Sequence, residues 1–208
     1  MKKKDYLIYG FVLLALFLIL LIFVSFGLVN GLDNSVNNFV PGIVSSSLTS
    51  LMIFFTNLME NEVVMVFALI LIAVLFILKR KKEVLLVVGT FAFAEIVKEG
   101  FKILIQRARP LNSLINETGF SFPSGHSTFA ILFFLIIIYL FKDSIKDNVL
   151  RYSFVIFNLV LILLVGFSRI YLGVHWITDV VGGFLLGGFV FCMGVYIFKN
   201  YTTTGLSR

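Results

Sequence analysis

The stretch VVMVFALILIAVLFILKRKKEVLLVV, residues 63–88, places a tight cluster of cations between two long apolar runs. Similar runs fill most of the chain, which has 208 residues, 60% of them hydrophobic and 13% charged, with 25 Phe. An ordinary soluble domain has about 45–50% apolar and about 25% charged residues. The sequence therefore predicts an integral membrane protein.

Six apolar runs are long enough, with their flanking turns, to cross a bilayer as helices, because a span needs about 20 residues. They cover about 6–29, 61–78, 84–105, 126–141, 152–172 and 177–198. No internal repeat or low-complexity linker separates them. We therefore expect an all-α bundle of six transmembrane helices that forms a single domain over residues 1–208.

The segment SSSLTSLMIFFTNLM, residues 45–59, could form a seventh span. A seventh span would place Lys79–Lys82 outside the cell, against the tendency of Lys and Arg to remain in cytoplasmic loops. We instead predict a helix that lies in the external membrane interface, between the first two spans.

The basic residues alternate between the two sides of the predicted bundle. Residues 30–61 contain no Lys or Arg, so we expect this segment outside the cell and both termini in the cytoplasm. The membrane is expected to be the cell (plasma or inner) membrane. The net charge of +6 comes from short clusters rather than one basic surface, which argues against nucleic-acid binding. Twelve of the 17 Lys and Arg form the cytoplasmic set: Lys2, Lys3, Lys4, Lys79, Arg80, Lys81, Lys82, Lys142, Lys146, Arg151, Lys199 and Arg208.

Several polar residues do not fit this pattern, since they fall near the external ends of apolar runs. A charge in hydrocarbon costs about 2.5–3.5 kcal/mol on insertion scales and therefore needs a partner or a task. We expect these ends to form one polar pocket, which is typical of a functional site. The residues are Lys98, Lys102, Arg107, Arg109, Arg169 and both histidines, His126 and His175.

Lys102, Arg109 and Arg169 would repel one another in such a pocket, because the sequence shows no matching carboxylates for them. An anion with several oxygens would relieve the repulsion, and the planar fork of Arg suits phosphate. On charge alone the alternative is that these side chains are interfacial anchors reaching toward lipid headgroups.

The segment FPSGHSTF, residues 122–129, favours phosphate. Ser124 or Ser127 can cap the helix that follows, and Gly125 lets the backbone approach a ligand closely. The first N–H groups of that helix, at the positive end of its dipole, then form an anion site. A Ser-Gly pair alone is only a cap, but beside three cations and His126 we interpret it as a phosphate cradle.

His175 and Asp179 are four residues apart in HWITD, which places both on one face if the segment is helical. The carboxylate can then hold one ring N–H and leave the other nitrogen as a directed nucleophile. No acid is spaced along the sequence to orient His126, so His126 suits the role of proton donor better than that of nucleophile. A purely structural His-Asp hydrogen bond is the alternative.

Metal catalysis would need a cluster of carboxylate or imidazole ligands, and the external acids show no such spacing. Glu95, Lys98, Glu99 and Lys102 instead lie three and four positions apart, which predicts an ion-paired stripe facing the bundle interior. We therefore predict a site without a metal ion or another cofactor.

Three motifs in order, Lys-x6-Arg-Pro (102–110), Pro-Ser-Gly-His (123–126) and Ser-Arg-x5-His-x3-Asp (168–179), resemble those of the type-2 phosphatidic acid phosphatase and haloperoxidase superfamily. Every defining position matches. The six-helix layout is similar to the bacterial membrane branch, whose members dephosphorylate undecaprenyl diphosphate, phosphatidylglycerol phosphate and phosphatidic acid, and unlike the soluble haloperoxidases.

The resemblance implies that His175 attacks phosphorus and forms a phosphohistidine, that Asp179 orients it, and that His126 protonates the departing oxygen. It implies a membrane lipid phosphate as substrate, handled at the external face. A lipid phosphotransferase and a non-enzymatic anion or lipid transporter are the alternatives, the transporter needing polar residues through the midplanes of several spans. The implied phosphate-binding residues are Lys102, Arg109, Ser124, Gly125 and Arg169.

Overall fold

The structure is a computed structural model that describes residues 2–203, apart from the side chain of Thr203, so Arg208 of the predicted cytoplasmic set lies outside it. Within this range the chain is helical and contains no β-strand. The helices are α1 (Lys3–Ser25), α2 (Asn30–Phe39), α3 (Ser46–Asn57), α4 (Asn61–Ile77), α5 (Lys81–Ile105), α6 (Gly125–Phe141), α7 (Asn148–Tyr171) and α8 (Ile177–Thr203). Short 3-10 turns cover Val40–Ile43 and Lys142–Ser144.

The longer helices run in alternating directions. Arg80, just before α5, donates a hydrogen bond to the carbonyl of Leu140 near the end of α6, with a distance of 2.9 Å. Glu60, just before α4, contacts His126 in the first turn of α6. Ser124, just before α6, donates to the carbonyl of Asp179 in the first turn of α8 at 3.0 Å, and a short turn joins α7 to α8. The starts of α4, α6 and α8 and the ends of α5 and α7 therefore share one end of the bundle, which we call the site end.

Among residues 2–203, four helices are long and apolar enough to cross a membrane: α1, α6 with the turn that follows it, α7 and α8. A fifth candidate is the pair α3 and α4, which meet at 51°, if they form one broken span. Helix α5 has 25 residues, but Glu95, Lys98 and Glu99 interrupt its apolar stretch. The all-α membrane class is confirmed, while the count of six spans and the interfacial position of residues 45–59 remain predictions.

Helix α8 packs closely against α6 because glycines face the contact. A Cβ atom on Gly187 would lie 2.4 Å from the carbonyl oxygen of Thr128, and one on Gly183 would lie 2.5 Å from that of Ser124. Side chains at these positions would push the two helices apart, since backbone cannot yield as a flexible side chain can. The close approach holds the starts of α6 and α8 together at the site end.

Both ends of α3 contact the last turn of α7. The hydroxyl of Tyr171 accepts a hydrogen bond from the backbone N–H of Ser45 at 3.1 Å. Nη1 of Arg169 donates to Oγ1 of Thr56 at 2.5 Å. Helix α3 therefore covers the site end of α7 and holds the side chain of Arg169.

Candidate active site

His175 lies in the turn between α7 and α8, and Asp179 lies in the first turn of α8. Nδ1 of His175 is 3.4 Å from Oδ2 of Asp179, and Nε2 is 3.1 Å from Nη1 of Arg109. Arginine can only donate, so Nε2 accepts and the ring proton belongs on Nδ1, facing the carboxylate. His175 precedes the helix rather than lying on it, but the turn still brings the predicted pair together.

The surroundings of His175 favour its neutral form. Burial holds the pKa of the imidazole well below its usual range, and the positive charges of Arg169, Arg109, His126 and Lys102 lower that pKa further. A neutral imidazole whose lone pair is on a defined nitrogen is the form that can act as a nucleophile.

Arg169, on the last turn of α7, is fully buried. Its Nη2 donates to Oε2 of Glu117 at 2.6 Å, and its Nε has no hydrogen-bond partner among residues 2–203. A buried donor left unpaired costs about 1–3 kcal/mol. Arg169 thus has a spare N–H with which to bind an oxygen-rich anion.

Glu117 shows that the cations do have a carboxylate among them, contrary to the sequence-based expectation. Besides its bond to Arg169, its Oε1 lies 3.6 Å from Nη2 of Arg109. Burial alone would raise the pKa of Glu117, but the charges of Arg169, His126 and Arg109 hold that pKa below its usual range. An ionised carboxylate therefore lies between two arginines.

Ser124 caps α6, as predicted. Its Oγ accepts from the N–H of Ser127 at 3.4 Å and from the hydroxyl of the same residue at 3.0 Å. Its own N–H donates to the carbonyl of Asp179 at 3.0 Å, which ties this segment to α8. Gly125 faces Lys98, because a Cβ atom there would lie 3.3 Å from Cδ of that lysine.

His126 faces an acid that sequence spacing did not reveal. Its Nε2 lies 3.4 Å from Oε1 of Glu60, which is 66 positions earlier in the chain. The hydrogen bond with His126 lowers the pKa of Glu60. The expectation that no carboxylate is placed to orient His126 is therefore wrong, because long-range packing of α4 against α6 supplies one.

The ion-paired stripe on α5 is present, with one difference from the prediction. Nζ of Lys98 lies 2.7 Å from Glu95 and 3.0 Å from Glu99, and Nζ of Lys102 lies 3.6 Å from Glu99. Only the lysines face inward: the side chains of Glu95 and Glu99 are 51% and 46% exposed. The stripe thus points its positive charges toward the site.

The predicted site residues come together at the site end: His175, His126, Asp179, Lys102, Arg109, Ser124, Gly125 and Arg169. The structure adds contacts to residues that had no assigned role: Asp33, Thr56, Glu60, Arg107, Glu117 and Thr178. Arg107 had one signal in the sequence, as a cation near the external end of a span. In the described part of the chain, no three His, Cys, Asp or Glu side chains are grouped to hold a metal ion.

A family model matches this chain. The model described as the PAP2 superfamily covers residues 83–203, which include all three motifs.

Two curated proteins are similar over most of their length. Phosphatidylglycerophosphatase B of Bacillus subtilis (strain 168) is 32% identical over 180 residues, which cover 84% of this chain and 87% of that protein. Undecaprenyl-diphosphatase of Sulfolobus acidocaldarius is 32% identical over 203 residues, which cover 91% of each chain.

Two solved structures share the fold. One is a transmembrane PAP2 type phosphatidylglycerolphosphate phosphatase from Bacillus subtilis, with a TM-score of 0.84, 29% identity, and coverage of 94% of this chain and 96% of that one. The other is Aquifex aeolicus LpxE, with a TM-score of 0.61, 23% identity, and coverage of 82% and 94%. At that identity, the second supports the fold alone.

Proposed function

We propose, from the premise that the chain belongs to the PAP2 superfamily and is a membrane lipid phosphatase, that it hydrolyses its substrate through a phosphohistidine on His175 and needs no metal ion. One observation carries this proposal. The buried imidazole of His175 presents Nε2 to Arg109 while Nδ1 faces Asp179.

In the first step, Nε2 of His175 attacks phosphorus, and the bond from phosphorus to the lipid oxygen breaks. The Nδ1 proton stays with the ring, and the carboxylate of Asp179 stabilises the positive charge that the ring gains on attack. His126 donates a proton to the departing lipid oxygen, which leaves as an alcohol or, from a diphosphate, as a lipid monophosphate.

Positive charge around the phosphoryl group stabilises the transition state. Arg109 is already within hydrogen-bond distance of the attacking nitrogen, and Arg169 has its spare Nε–H. The N–H groups of Gly125 and His126 begin α6 at the positive end of its dipole. Fixed donors of this kind stabilise the charge that develops in the transition state, and this electrostatic stabilisation is the largest contribution to the rate enhancement of many enzymes.

In the second step, water attacks the phosphohistidine. His126, which gave up its proton in the first step, takes a proton from this water, and inorganic phosphate leaves as Nε2 of His175 is released. The hydrogen bond to Glu60 holds the ring of His126 through both steps. The enzyme returns to its starting protonation state.

For the substrate, we propose undecaprenyl diphosphate, phosphatidylglycerol phosphate or phosphatidic acid. The first two agree with the names of the two curated relatives. The site lies where apolar helices end, so that a headgroup can reach it while the lipid chains stay in the bilayer. We also propose that α1, α4, α5, α6, α7 and α8 are the six spans, that α3 lies in the interface, and that the site end is external with both termini cytoplasmic.

The test is phosphate release from these three lipids by the purified full-length protein, in excess chelator. We expect release at the same rate with and without chelator. As a control variant, Glu62→Gln removes an exposed acid near the site end and should release phosphate at the wild-type rate, with and without chelator. Complete loss of activity in chelator, restored by magnesium, would show that the reaction depends on a metal ion.

A further inference from the structure

The guanidinium of Arg107 forms hydrogen-bonded ion pairs with two buried carboxylates. Its Nη1 lies 2.6 Å from Oδ1 of Asp179 and 2.8 Å from Oγ1 of Thr178, and its Nη2 lies 2.5 Å from Oδ2 of Asp33. The guanidinium also stacks on Trp176, with its carbon 5.7 Å from the ring centroid. Arg107 lies at one of the six positions that the Lys-x6-Arg-Pro motif leaves unspecified, and the reaction described above gives it no task.

Asp33 comes from α2, a short polar helix far from the motifs in sequence. It is 2% exposed, and burying a carboxylate is costly unless it is paired and hydrogen-bonded. Oδ1 accepts from the backbone N–H of Thr178 at 3.1 Å and Oδ2 from its hydroxyl at 2.8 Å, beside the bond from Arg107. Asp33 therefore caps α8 from a separate helix and ties α2 to the start of the catalytic segment.

The two oxygens of Asp179 have different partners as a result. Oδ1 is held by Arg107, whereas Oδ2 accepts from the backbone N–H of Trp176 at 2.9 Å and faces Nδ1 of His175 at 3.4 Å. Fixing Oδ1 sets the rotation of the carboxylate. That rotation determines the position of Oδ2, and Oδ2 in turn orients the imidazole of His175 through Nδ1.

We infer that Arg107 and Asp33 are positioning residues that hold Asp179, and through it His175, in the orientation for attack. This inference rests on the proposed reaction at His175. Arg107 and Asp33 touch neither the attacking nitrogen nor the arginines around it, so they act on the rate of the chemical step and not on substrate binding. Errors of about 1 Å in an attacking group can cost about 100-fold in rate.

Chemical rescue provides the sharpest test. A cavity of about 210 Å³ lies beside this pair, so that a small cation can enter where an arginine side chain has been removed. Its lining residues are Asn30, Asp33, Asn34, Arg107 and Trp176. Phosphate release by full-length Arg107→Ala, Arg107→Lys and Asp33→Asn is measured as kcat and KM separately, with and without guanidinium ion.

We expect Arg107→Ala to lose about 100-fold in kcat and Asp33→Asn about tenfold, with KM within about threefold of wild type. Guanidinium ion should raise the kcat of Arg107→Ala at least tenfold, with saturation, and should not raise the kcat of Asp33→Asn. Arg107→Lys should retain intermediate kcat, because Lys keeps the charge but not the planar fork. Arg151→Ala, at the opposite end of α7, is the matched control and should equal wild type.

A rise in KM at unchanged kcat would overturn the inference, because Arg107 would then bind substrate. Wild-type kcat in Asp33→Asn and Arg107→Lys would overturn it too, and these milder variants decide the matter if Arg107→Ala fails to fold. Loss of kcat in a folded Arg107→Ala with no response to guanidinium would also overturn the inference, because Arg107 would then have a structural role only. Failure of the wild type to release phosphate would instead count against the proposed function.

Discussion

At His175 the chemistry depends on which ring nitrogen carries the proton, and at His126 on whether the leaving group needs one. His126→Ala should therefore retain much more phosphoryl transfer to His175 with an aryl phosphate, whose leaving group needs little protonation, than with an alkyl lipid phosphate. His175→Ala should fail with both. General acid catalysis is worth about 10²- to 10⁴-fold, so the contrast will be resolved in kcat/KM, which reports phosphoryl transfer to His175 and not the later attack of water. Equal losses of kcat/KM for both substrates in His126→Ala would remove the proton-donor role assigned to it.

Glu117 lies between Arg109 and Arg169, where it competes with any anion for their N–H groups. Glu117→Gln removes that negative charge, so we expect inorganic phosphate and orthovanadate to inhibit the variant about tenfold more tightly, a change of about 1.4 kcal/mol. Inhibition constants measured in parallel for Glu62→Gln control for the loss of a carboxylate as such. Weaker inhibition of Glu117→Gln would mean that Glu117 supports anion binding instead of competing with it.

Residue by residue, sequence predicted the partners that are close in the chain and missed those that are distant. The pairing of His175 with Asp179 followed from a spacing of four. Glu117 is 52 positions from Arg169, and Glu60 is 66 from His126, and no periodicity links residues at such separations. Only the packed fold brings them together.

At the level of helices, the contact between α6 and α8 depends on glycine. Gly187→Ala places a Cβ atom 2.4 Å from a backbone oxygen of α6, and overpacking of this kind costs about 1–3 kcal/mol. We expect a lower melting temperature in detergent and lower activity, because the starts of α6 and α8 carry His126 and Asp179. Gly89→Ala is the control, since a Cβ on Gly89 meets nothing within 4 Å. Equal stability of both variants would contradict this account of the contact.

Composition and apolar run length were sufficient to predict the helical class, but not every element. The sequence of helix α2, NGLDNSVNNF, contains no apolar run that would predict a helix. Of its residues only Asp33 is buried. The glycine contact requires knowledge of which helices are neighbours, and the sequence does not specify that. Helix α5 shows the opposite case, since its charges lie at helical spacing and the ion pairs among them followed directly.

For the whole molecule, orientation in the membrane follows from the distribution of Lys and Arg. Single cysteines replace Asn38, exposed on α2, and Lys81, exposed at the start of α5, in a background where Cys192 is changed to Ala. An impermeant maleimide applied to intact cells should label position 38 and leave position 81 unlabelled until the cells are opened. The reverse pattern would place the site end in the cytoplasm.

The central claim, covalent transfer of the phosphoryl group to His175, is tested most directly by trapping the phosphoenzyme. Wild-type protein is mixed with a lipid phosphate carrying a labelled phosphoryl group in excess chelator, quenched in alkaline detergent, digested and mapped by mass spectrometry. The account predicts label on the peptide that contains His175 and none in His175→Ala. Label on His126, or turnover with no labelled histidine at any quench time, would contradict it.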